Sequence, residues 1–467
     1  MTLHERLIDA LGADAVKTTP EDLSVYSFDA YTDGRLPAAV VLPSNVRDVS
    51  ATVKIAREFG EPIVARGAGT GLCGGAVPVE GGVVISFARM NRILALDVRG
   101  RRARVQPGVI NLDLSRNAAP SGLFFAPDPS SQKIATIGGN IATNAGGPHC
   151  LSYGTTVNHV LGLEIVDERG DVFVTDIDAP GYDLTAALVG SEGTLGIVTS
   201  ARVRLLRLPE SVRVWLAAFS DIDSASEAVS AIIAAGIVPT ALEMVDAVIT
   251  KAIEAAFHAG YPTDAGAVLL IENAGFQDDM DAHEAEIARI VRQHGALSWR
   301  AAHSQAERDA LWAGRKGAAG ATGRIAPNYY TQDLCVPRSK LPQALRAVDA
   351  AARANRIVVG NVFHAGDGNL HPLLMYDKRD RKQVAAVIET GNAILQSAVD
   401  LGGTVSGEHG IGYEKREALT HVYSTDDLAT MARVRDVFDP KRMLNPEKIF
   451  PSGARCPEVK APDANAG

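Results

Sequence analysis

The sequence predicts an α+β protein with a glycine-rich N-terminal domain and a cap domain in which helices cover an antiparallel sheet. Two observations support this fold class. Residues 37–210 alternate short buried strands with helices and hairpin signals, and the composition changes after Leu208-Pro209, where longer strands and amphipathic helices alternate. At about 100–200 residues per domain, the 467 residues of the chain correspond to two or three domains.

In the N-terminal domain the first elements are a helix and two strands. Ser44 or Asn45 can cap a helix that runs through Phe59 and carries apolar residues on one face. Short apolar runs at 62–65 and 83–86 then predict two buried strands. Two hairpin signals follow, at Arg99-Gly100 and Arg169-Gly170.

The cap domain begins with a strand at 212–219, a helix ending at Ala235, a second helix at 241–257, a strand at 267–271, a helix at 281–294 and a strand at 297–302. Such an order is typical of a split βαβ unit, an antiparallel sheet with helices on one face. A β-α-β-β-α group follows at 329–336, 341–354, 357–363, 370–375 and 383–399.

We therefore divide the chain into four segments. The N-terminal domain spans 1–210 and the cap domain spans 211–415. Residues 416–455 should form a helical segment that returns to the N-terminal domain, and 456–467 should form a polar tail.

Bulk properties exclude several classes of protein. The formal net charge of -9 is opposite to the basic surface that binds nucleic acid. Neither a signal peptide nor an apolar run long enough to span a membrane is present in the sequence. The four cysteines, Cys73, Cys150, Cys335 and Cys456, form no C-x-x-C pair, so no spacing predicts an iron–sulfur cluster.

The densest glycine cluster runs from Arg66 to Gly75, and Gly69, Gly71 and Gly74 match G-x-G-x-x-G. That pattern binds a dinucleotide in a Rossmann fold only when a helix follows at once, and the residues that follow here, GAVPVEGG, will not form one. We interpret the loop as a set of backbone N–H groups that surround a pyrophosphate without a helix. A glycine-rich surface turn is the alternative, but the number of glycines favours the anion site.

Three further stretches accompany this loop. They are the rigid turn APDPSS at 126–131, the glycine- and amide-rich loop IGGNIATNAGG at 137–147, and GSEGTLGI at 190–197. The order of these motifs, beginning with PSNVRDV, resembles the FAD-binding domain shared with vanillyl-alcohol oxidase. The resemblance extends from about Val40 to Phe450, and it implies that residues 1–210 form a two-part FAD-binding domain of that type.

The resemblance also implies which residues hold FAD. The pyrophosphate would be held by Arg66, Gly67, Ala68, Gly69, Thr70, Gly71, Gly74 and Gly75. The flavin and adenosine parts would be lined by Pro127, Gly138, Gly139, Asn140, Thr143, Asn144, Gly146, Glu192, Gly193 and Ile197, with Asn445 on a segment that closes over the flavin. Some relatives attach FAD through a histidine in the first loop, and because this loop has none we expect non-covalent FAD. For His149, near the second loop, we expect either a structural role or a role in supporting the residues that contact the cofactor.

A second cluster lies in the cap domain. Gly366-Asp367-Gly368-Asn369 is a tight turn between two strands, which places His364 and His371 at facing strand ends. Glu408 lies in a glycine-flanked loop, SGEHGIG, next to His409. Two imidazoles and a carboxylate leave open coordination positions, as catalytic metal sites do. The sequence therefore predicts one divalent ion (zinc, manganese or iron) bound by His364, His371 and Glu408.

The same motifs resemble those of FAD-linked 2-hydroxy-acid dehydrogenases, the branch of the family that includes glycolate oxidase. The resemblance implies that His409 is the base that takes the proton of the substrate hydroxyl, and that Arg315 holds the substrate carboxylate. Arg324 and Tyr330 are weaker candidates for substrate binding. Lys316 is interpreted as surface charge.

The predicted reaction is the FAD-dependent oxidation of a small 2-hydroxy acid, glycolate or D-lactate, by metal-assisted hydride transfer to flavin. D-2-hydroxyglutarate is a competing substrate; relatives that bind a second carboxylate carry a lysine at the position of Thr331 and an asparagine at the position of Leu373. Two competing functions are a non-catalytic electron-transfer subunit and a metal-independent aryl-alcohol oxidase. The resemblance further implies iron–sulfur and second flavoprotein-like partner subunits, and a cytoplasmic protein that is peripheral at the inner membrane only through such partners.

Overall fold

The structure is a computed structural model that describes residues 1–31, 34–79 and 81–452. The predicted tail at 456–467 and Cys456 lie outside the described residues. The N-terminal strands are β1 (Val16–Lys17), β2 (Ala39–Val41), β3 (Ile63–Arg66), β4 (Val83–Ser86), β5 (Ile93–Asp97), β6 (Arg102–Val105), β7 (Leu123–Phe124), β8 (Val160–Val166), β9 (Val172–Asp176), β10 (Ile197–Arg204) and β11 (Leu206–Arg207). The N-terminal helices are α1 (Leu3–Leu11), α2 (Pro20–Val25), α3 (Val46–Phe59), α4 (Asn111–Ala118), α5 (Ile137–Thr143), α6 (Cys150–Tyr153) and α7 (Thr185–Leu188).

The first N-terminal sheet has the order β1-β2-β4-β3, in which β2, β4 and β3 are parallel. Helix α3 packs against it. The Asn45 side chain accepts from the backbone N–H groups of Arg47 and Asp48, which begins the helix, and Gly60 ends it in the left-handed conformation. The apolar face of α3 is fully buried at Val49 and Val53.

The second N-terminal sheet is antiparallel, with the order β5-β6-β10-β8-β9. The two hairpins expected at Arg99-Gly100 and Arg169-Gly170 are present as the connections of β5 to β6 and of β8 to β9. The glycine loop at 67–76 leaves the end of β3, so the first sheet positions it.

The cap strands are β12 (Ser211–Phe219), β13 (Ala241–Asp246), β14 (Ala267–Gly275), β15 (Ser298–Ala301), β16 (Asn328–Thr331), β17 (Leu334–Cys335), β18 (Val358–His364) and β19 (Asn369–Tyr376). The remaining helices are α8 (Ile222–Ala234), α9 (Ala247–Phe257), α10 (Met280–Gln293), α11 (Gln305–Lys316), α12 (Ala318–Ala321), α13 (Leu341–Ala354), α14 (Arg381–Asp400), α15 (Leu419–Val422) and α16 (Thr425–Phe438). The eight strands form one antiparallel sheet, β15-β12-β14-β13-β18-β19-β16, with β17 paired to β19.

Two expectations about the cap are wrong. The segment 241–257 is a strand, β13, followed by helix α9, because Asp246 ends the strand and its side chain caps the helix at the Ile249 N–H, 2.9 Å away. Helices also cover both faces of the sheet, since α9, α11 and α12 pack on the face opposite to α8, α10, α13 and α14. From Val214 to Phe219 every residue of β12 is buried, as a strand between two helical layers requires.

The C-terminal segment returns to the N-terminal domain after α16. The Ile63 N–H donates to the Met443 carbonyl at 2.8 Å, and the Asn445 N–H donates to the Ile63 carbonyl at 2.7 Å. Leu444 is fully buried against the first sheet. Among the helices that the structure describes, none combines the length and the apolar character needed to cross a membrane.

Candidate active site

One large cavity lies between the glycine loops of the N-terminal domain and the face of the cap sheet that carries α11 and α12. Of the residues predicted to bind FAD, those that line it are Gly67, Ala68, Gly69, Thr70, Gly71, Gly75, Gly139, Asn140, Thr143, Gly146, Glu192 and Gly193. The same cavity is lined by Arg315, His364, His371, Glu408 and His409. The two clusters that the sequence predicts separately therefore share one site.

The first glycine loop presents its backbone to this cavity. From Ala68 to Gly75 no backbone N–H donates to another group among the described residues. Gly69 and Gly74 have φ of +70° and +73°, a conformation that side chains rarely adopt. Turns rather than a helix follow the loop. A curved row of free N–H groups fits an anion such as a pyrophosphate.

The second glycine-rich stretch is mostly helical, which corrects its description as a loop. Thr136 caps α5 by accepting from the Gly139 N–H, and Asn144 ends the helix in the left-handed conformation. A Cβ at Gly138 would lie 2.6 Å from Cβ of Pro107, so this glycine allows close packing below the cavity.

Several predicted FAD residues do not line the cavity, and two of them donate hydrogen bonds to backbone carbonyls instead. Arg66 donates to the Phe28 carbonyl at 2.7 Å, and Asn445 donates to the carbonyls of Gly75 and Glu192. The others that do not line the cavity are Gly74, Pro127, Gly138, Asn144 and the core residue Ile197.

Glu192 joins the glycine-loop side of the cavity to the loop after Glu408. Its carboxylate accepts from the N–H groups of Ile411 and Gly412, both at 2.7 Å. Burial raises the pKa of Glu192 to about 7, although these two hydrogen bonds oppose the shift.

The predicted metal ligands converge on one point. Nε2 of His364 and Nε2 of His371 each lie 3.1 Å from the same oxygen of Glu408. The turn between β18 and β19 brings the histidines together, because His371 pairs with Val362 two residues from His364. Two imidazole nitrogens and one carboxylate oxygen within 4.8 Å of one another fit a divalent transition metal.

Two buried carboxylates that sequence reasoning missed lie next to the Nδ1 atoms of these imidazoles; the first is hydrogen-bonded to His364, and the second lies near His371 beyond hydrogen-bonding distance. Nδ1 of His364 lies 2.7 Å from Glu243, and Nδ1 of His371 lies 3.7 Å from Asp333. Both acids have fully buried side chains. Carboxylates commonly orient metal-bound histidines in this way. No motif marks them, because Glu243 lies within an apolar strand and Asp333 between β16 and β17.

Asp333 also shapes the loop that carries Glu408 and His409. It accepts from the backbone N–H groups of Gly407, Glu408 and His409 and from the Ser406 hydroxyl. Burial would raise the pKa of Asp333, but the charges of His409, Lys415 and His371 outweigh it and hold the pKa below its usual range.

His409 stacks on His371, with ring centroids 4.8 Å apart and planes at 7°. Burial lowers the pKa of His409 to about 4, an effect that Asp333 opposes and His371 reinforces. The imidazole is therefore neutral near pH 7, the state in which it can accept a proton.

Arg315 is buried at the last turn of α11, with Nη2 2.5 Å from Glu243. Arg315 lines the cavity, and its buried Nε has no hydrogen-bond partner among the described residues. The neighbouring Lys316 also lines the cavity, so interpreting it as surface charge alone is insufficient.

The two weaker substrate candidates do not line the cavity. Arg324 is exposed. Tyr330 points to the opposite side of β16, against Gly391 of α14, because side chains alternate along a strand. Its neighbours Tyr329 and Thr331 face the cavity instead.

Comparison with known families agrees with this geometry. Residues 37–176 match an FAD binding domain, and residues 208–449 match the C-terminal domain of FAD linked oxidases. The fold and the site are thus those of an FAD-dependent oxidoreductase. The chain belongs to the FAD-linked oxidase family.

The chain is similar over nearly its whole length to curated proteins. The glycolate oxidase subunit GlcD of Escherichia coli is 44% identical across 96% of this chain and 91% of that protein. GlcD of Bacillus subtilis is 41% identical across 97% of both chains. A D-lactate dehydrogenase of Anaerostipes hadrus is 32% identical across 88% of this chain and 89% of that protein.

Solved structures confirm the predicted fold class. p-Cresol methylhydroxylase superimposes with a TM-score of 0.79 at 16% identity, covering 96% of each chain. A 4-ethylphenol oxidase from Gulosibacter chungangensis superimposes with a TM-score of 0.78 at 18% identity, covering 97% of this chain and 98% of that one.

Proposed function

We propose that this chain is an FAD-dependent dehydrogenase of a small 2-hydroxy acid, with glycolate as the first candidate and D-lactate as the second. The observation that carries the proposal is the single cavity that is lined by the convergent His364, His371 and Glu408 set together with His409 and Arg315. Similarity to glycolate oxidase subunits and D-lactate dehydrogenases supports it.

Each side chain has a role in this proposal. Arg315 binds the substrate carboxylate and thereby orients the carbon that carries the hydroxyl. The neutral imidazole of His409 removes the hydroxyl proton. Glu243 fixes the orientation of the His364 imidazole through its hydrogen bond to Nδ1, and Asp333 places a negative charge near His371.

When bound, non-covalent FAD would accept the hydride, and a divalent ion (zinc, manganese or iron) would lower the pKa of the substrate hydroxyl. The free N–H groups from Ala68 to Gly75 would hold the FAD pyrophosphate. His364, His371 and Glu408 would hold the ion. Acid precipitation should release the flavin into the supernatant; flavin retained in the pellet would argue against non-covalent binding.

The cavity wall favours a monocarboxylate over D-2-hydroxyglutarate. Thr331 and Leu373, the positions where relatives that bind a second carboxylate carry lysine and asparagine, are paired across β16 and β19. Both line the cavity, and neither can pair with a second carboxylate as a cation would.

Steady-state assays with an artificial dye test the proposal. Purified holoenzyme should oxidise glycolate or D-lactate with a kcat/KM well above its value for L-lactate and D-2-hydroxyglutarate. A preference for D-2-hydroxyglutarate would overturn the inference that Thr331 and Leu373 select a monocarboxylate. Failure to oxidise any 2-hydroxy acid by a preparation replete with flavin and metal would overturn the function.

We further propose that the protein works with partner subunits. The name of the GlcD relatives describes a subunit of glycolate oxidase. Iron–sulfur and second flavoprotein-like subunits would then take the electrons, and the chain would be cytoplasmic or peripheral at the inner membrane through them.

A further inference from the structure

His149 lies between two carboxylates that belong to different halves of the molecule. Its Nδ1 is 2.7 Å from Asp128 of the N-terminal domain, and its Nε2 is 2.9 Å from Glu272 on cap strand β14. A neutral imidazole carries one N–H, so it can donate to only one of two ionised acids. When both acids are ionised, only the doubly protonated imidazolium can donate to both of them.

Glu272 continues the connection to helix α11. Its second oxygen accepts from the Trp312 indole N–H at 2.7 Å. The Trp312 ring also lies 5.5 Å from the His149 ring. Trp312 is three residues before Arg315, so the two side chains are neighbours on the helix surface.

On the N-terminal side, Asp128 belongs to the rigid turn that borders the cavity. Pro129, Ser130 and Ser131 line the cavity directly after it. A Cβ at Gly147 would lie 2.5 Å from the Asp128 carbonyl oxygen, so the segment before His149 packs tightly against this turn. The connection therefore joins two opposite walls of the cavity.

We propose that His149, as an imidazolium, is a positioning residue that ties the N-terminal domain to α11 and so holds Arg315 at the substrate end of the cavity. The inference rests on the proposed function in one respect, the role of Arg315. The claim that His149 fixes the position of α11 does not depend on which substrate the protein binds. Asp128 and Glu272 outweigh the effect of burial and raise the pKa of His149 to about 10.

The test compares three variants of the holoenzyme: His149→Gln, His149→Arg and, as a matched control, His294→Gln. His294, in the cap domain, is another histidine beside an acid, 3.7 Å from Glu227, but it lies outside the cavity. With glycolate as substrate, His149→Gln should raise KM by roughly 10- to 100-fold, because a small displacement of a positioning group has effects of that size. Its kcat should change less. Arginine is a cation that can pair with both acids, so His149→Arg should recover most of the lost KM.

Amide hydrogen exchange of α11 gives a readout that needs no activity. The helix should exchange faster in His149→Gln than in wild type or His294→Gln, and His149→Arg should slow it again. Glu272→Gln keeps an oxygen that can accept from Trp312 but removes the charge. It should also speed the exchange of α11, and it replaces His149→Gln in the test if that variant does not fold. Unchanged KM and unchanged exchange in His149→Gln would overturn the inference, as would an arginine variant no better than glutamine. If wild type oxidises no hydroxy acid, the proposed function fails. The exchange measurement still tests whether His149 holds α11 in place.

Discussion

His409 is the side chain whose removal should affect proton transfer most directly. We expect His409→Asn to retain FAD and metal and to slow flavin reduction by roughly 10²–10⁴-fold, the usual contribution of a general base. The stacked His371 remains in place, so the metal ligands keep their geometry. Stopped-flow measurement of flavin bleaching by substrate checks this. Reduction at the wild-type rate would move the base to another residue.

Glu243 contacts both His364 and Arg315, although its side chain is fully buried and does not line the cavity. Replacing it with glutamine keeps its volume and removes its charge. We expect Glu243→Gln to weaken metal affinity by roughly 10–100-fold, as loss of a carboxylate behind a metal-bound histidine does. Chelator competition followed by metal analysis measures the change.

The matching variant Glu408→Ala removes a predicted ligand itself. It should abolish metal binding while the flavin stays bound, because the glycine loop that follows β3 contains none of the predicted metal ligands. Equal metal affinity in Glu243→Gln and wild type would show that Glu243 acts on Arg315 alone.

At the scale of the element, the glycine loop depends on backbone conformation. A Cβ at Gly69 would lie 2.2 Å from the guanidinium of Arg66, which is itself held by the Phe28 carbonyl. Gly122 has the same φ of +70° but has open space around it. We expect Gly69→Ala to lower the FAD content per chain far more than Gly122→Ala, since backbone strain is common to both. The ratio of flavin absorbance to protein concentration measures the FAD content of each variant. Similar FAD content in both would mean that the glycine loop accommodates the added methyl group.

The contribution of His149, which links the N-terminal domain to the cap, to the free energy of unfolding should depend on pH. Folding raises the pKa of His149 from 6.5 to about 10, where Asp128 and Glu272 face it and Tyr153 and Trp312 pack beside it. A raised pKa stabilises the fold fully below about 6.5, and this stabilisation is lost progressively as the pH rises to about 10. The difference in unfolding free energy between wild type and His149→Gln should therefore be larger at pH 6 than at pH 10. Denaturant titrations at the two pH values measure it, and a difference that grows with pH would contradict the cation.

At the scale of the whole molecule, the fate of the electrons separates a dehydrogenase from an oxidase. The described residues contain no group of cysteines that could hold an iron–sulfur cluster. We expect the isolated chain to be reduced by substrate, to react slowly with oxygen and to turn over much faster with an artificial dye. Peroxide measured per substrate consumed in air provides the test. Rapid, stoichiometric peroxide would identify a stand-alone oxidase.

Much of the candidate site can be recognised from short sequence motifs. The glycine loop, the facing histidines and the Glu408-His409 pair are each encoded within a few residues, so their chemistry is visible before folding. The hairpins are equally local. The pattern of 241–257 predicts one helix because short apolar runs fit either period, whereas in the folded chain Asp246 ends strand β13 and caps helix α9.

The sequence by itself determined the class of chemistry, since glycines free a backbone for an anion and histidines beside an acid fit a metal. Only the tertiary structure decided how these parts combine. Glu243 on β13 and Asp333 between β16 and β17 come close to the imidazoles only in the folded chain, and Tyr330 is turned away by the alternation of β16. His149 acquires its second acid from another domain. Such contacts depend on which strands and helices lie side by side, a choice made by the burial of the two faces of the cap sheet and not by any local motif.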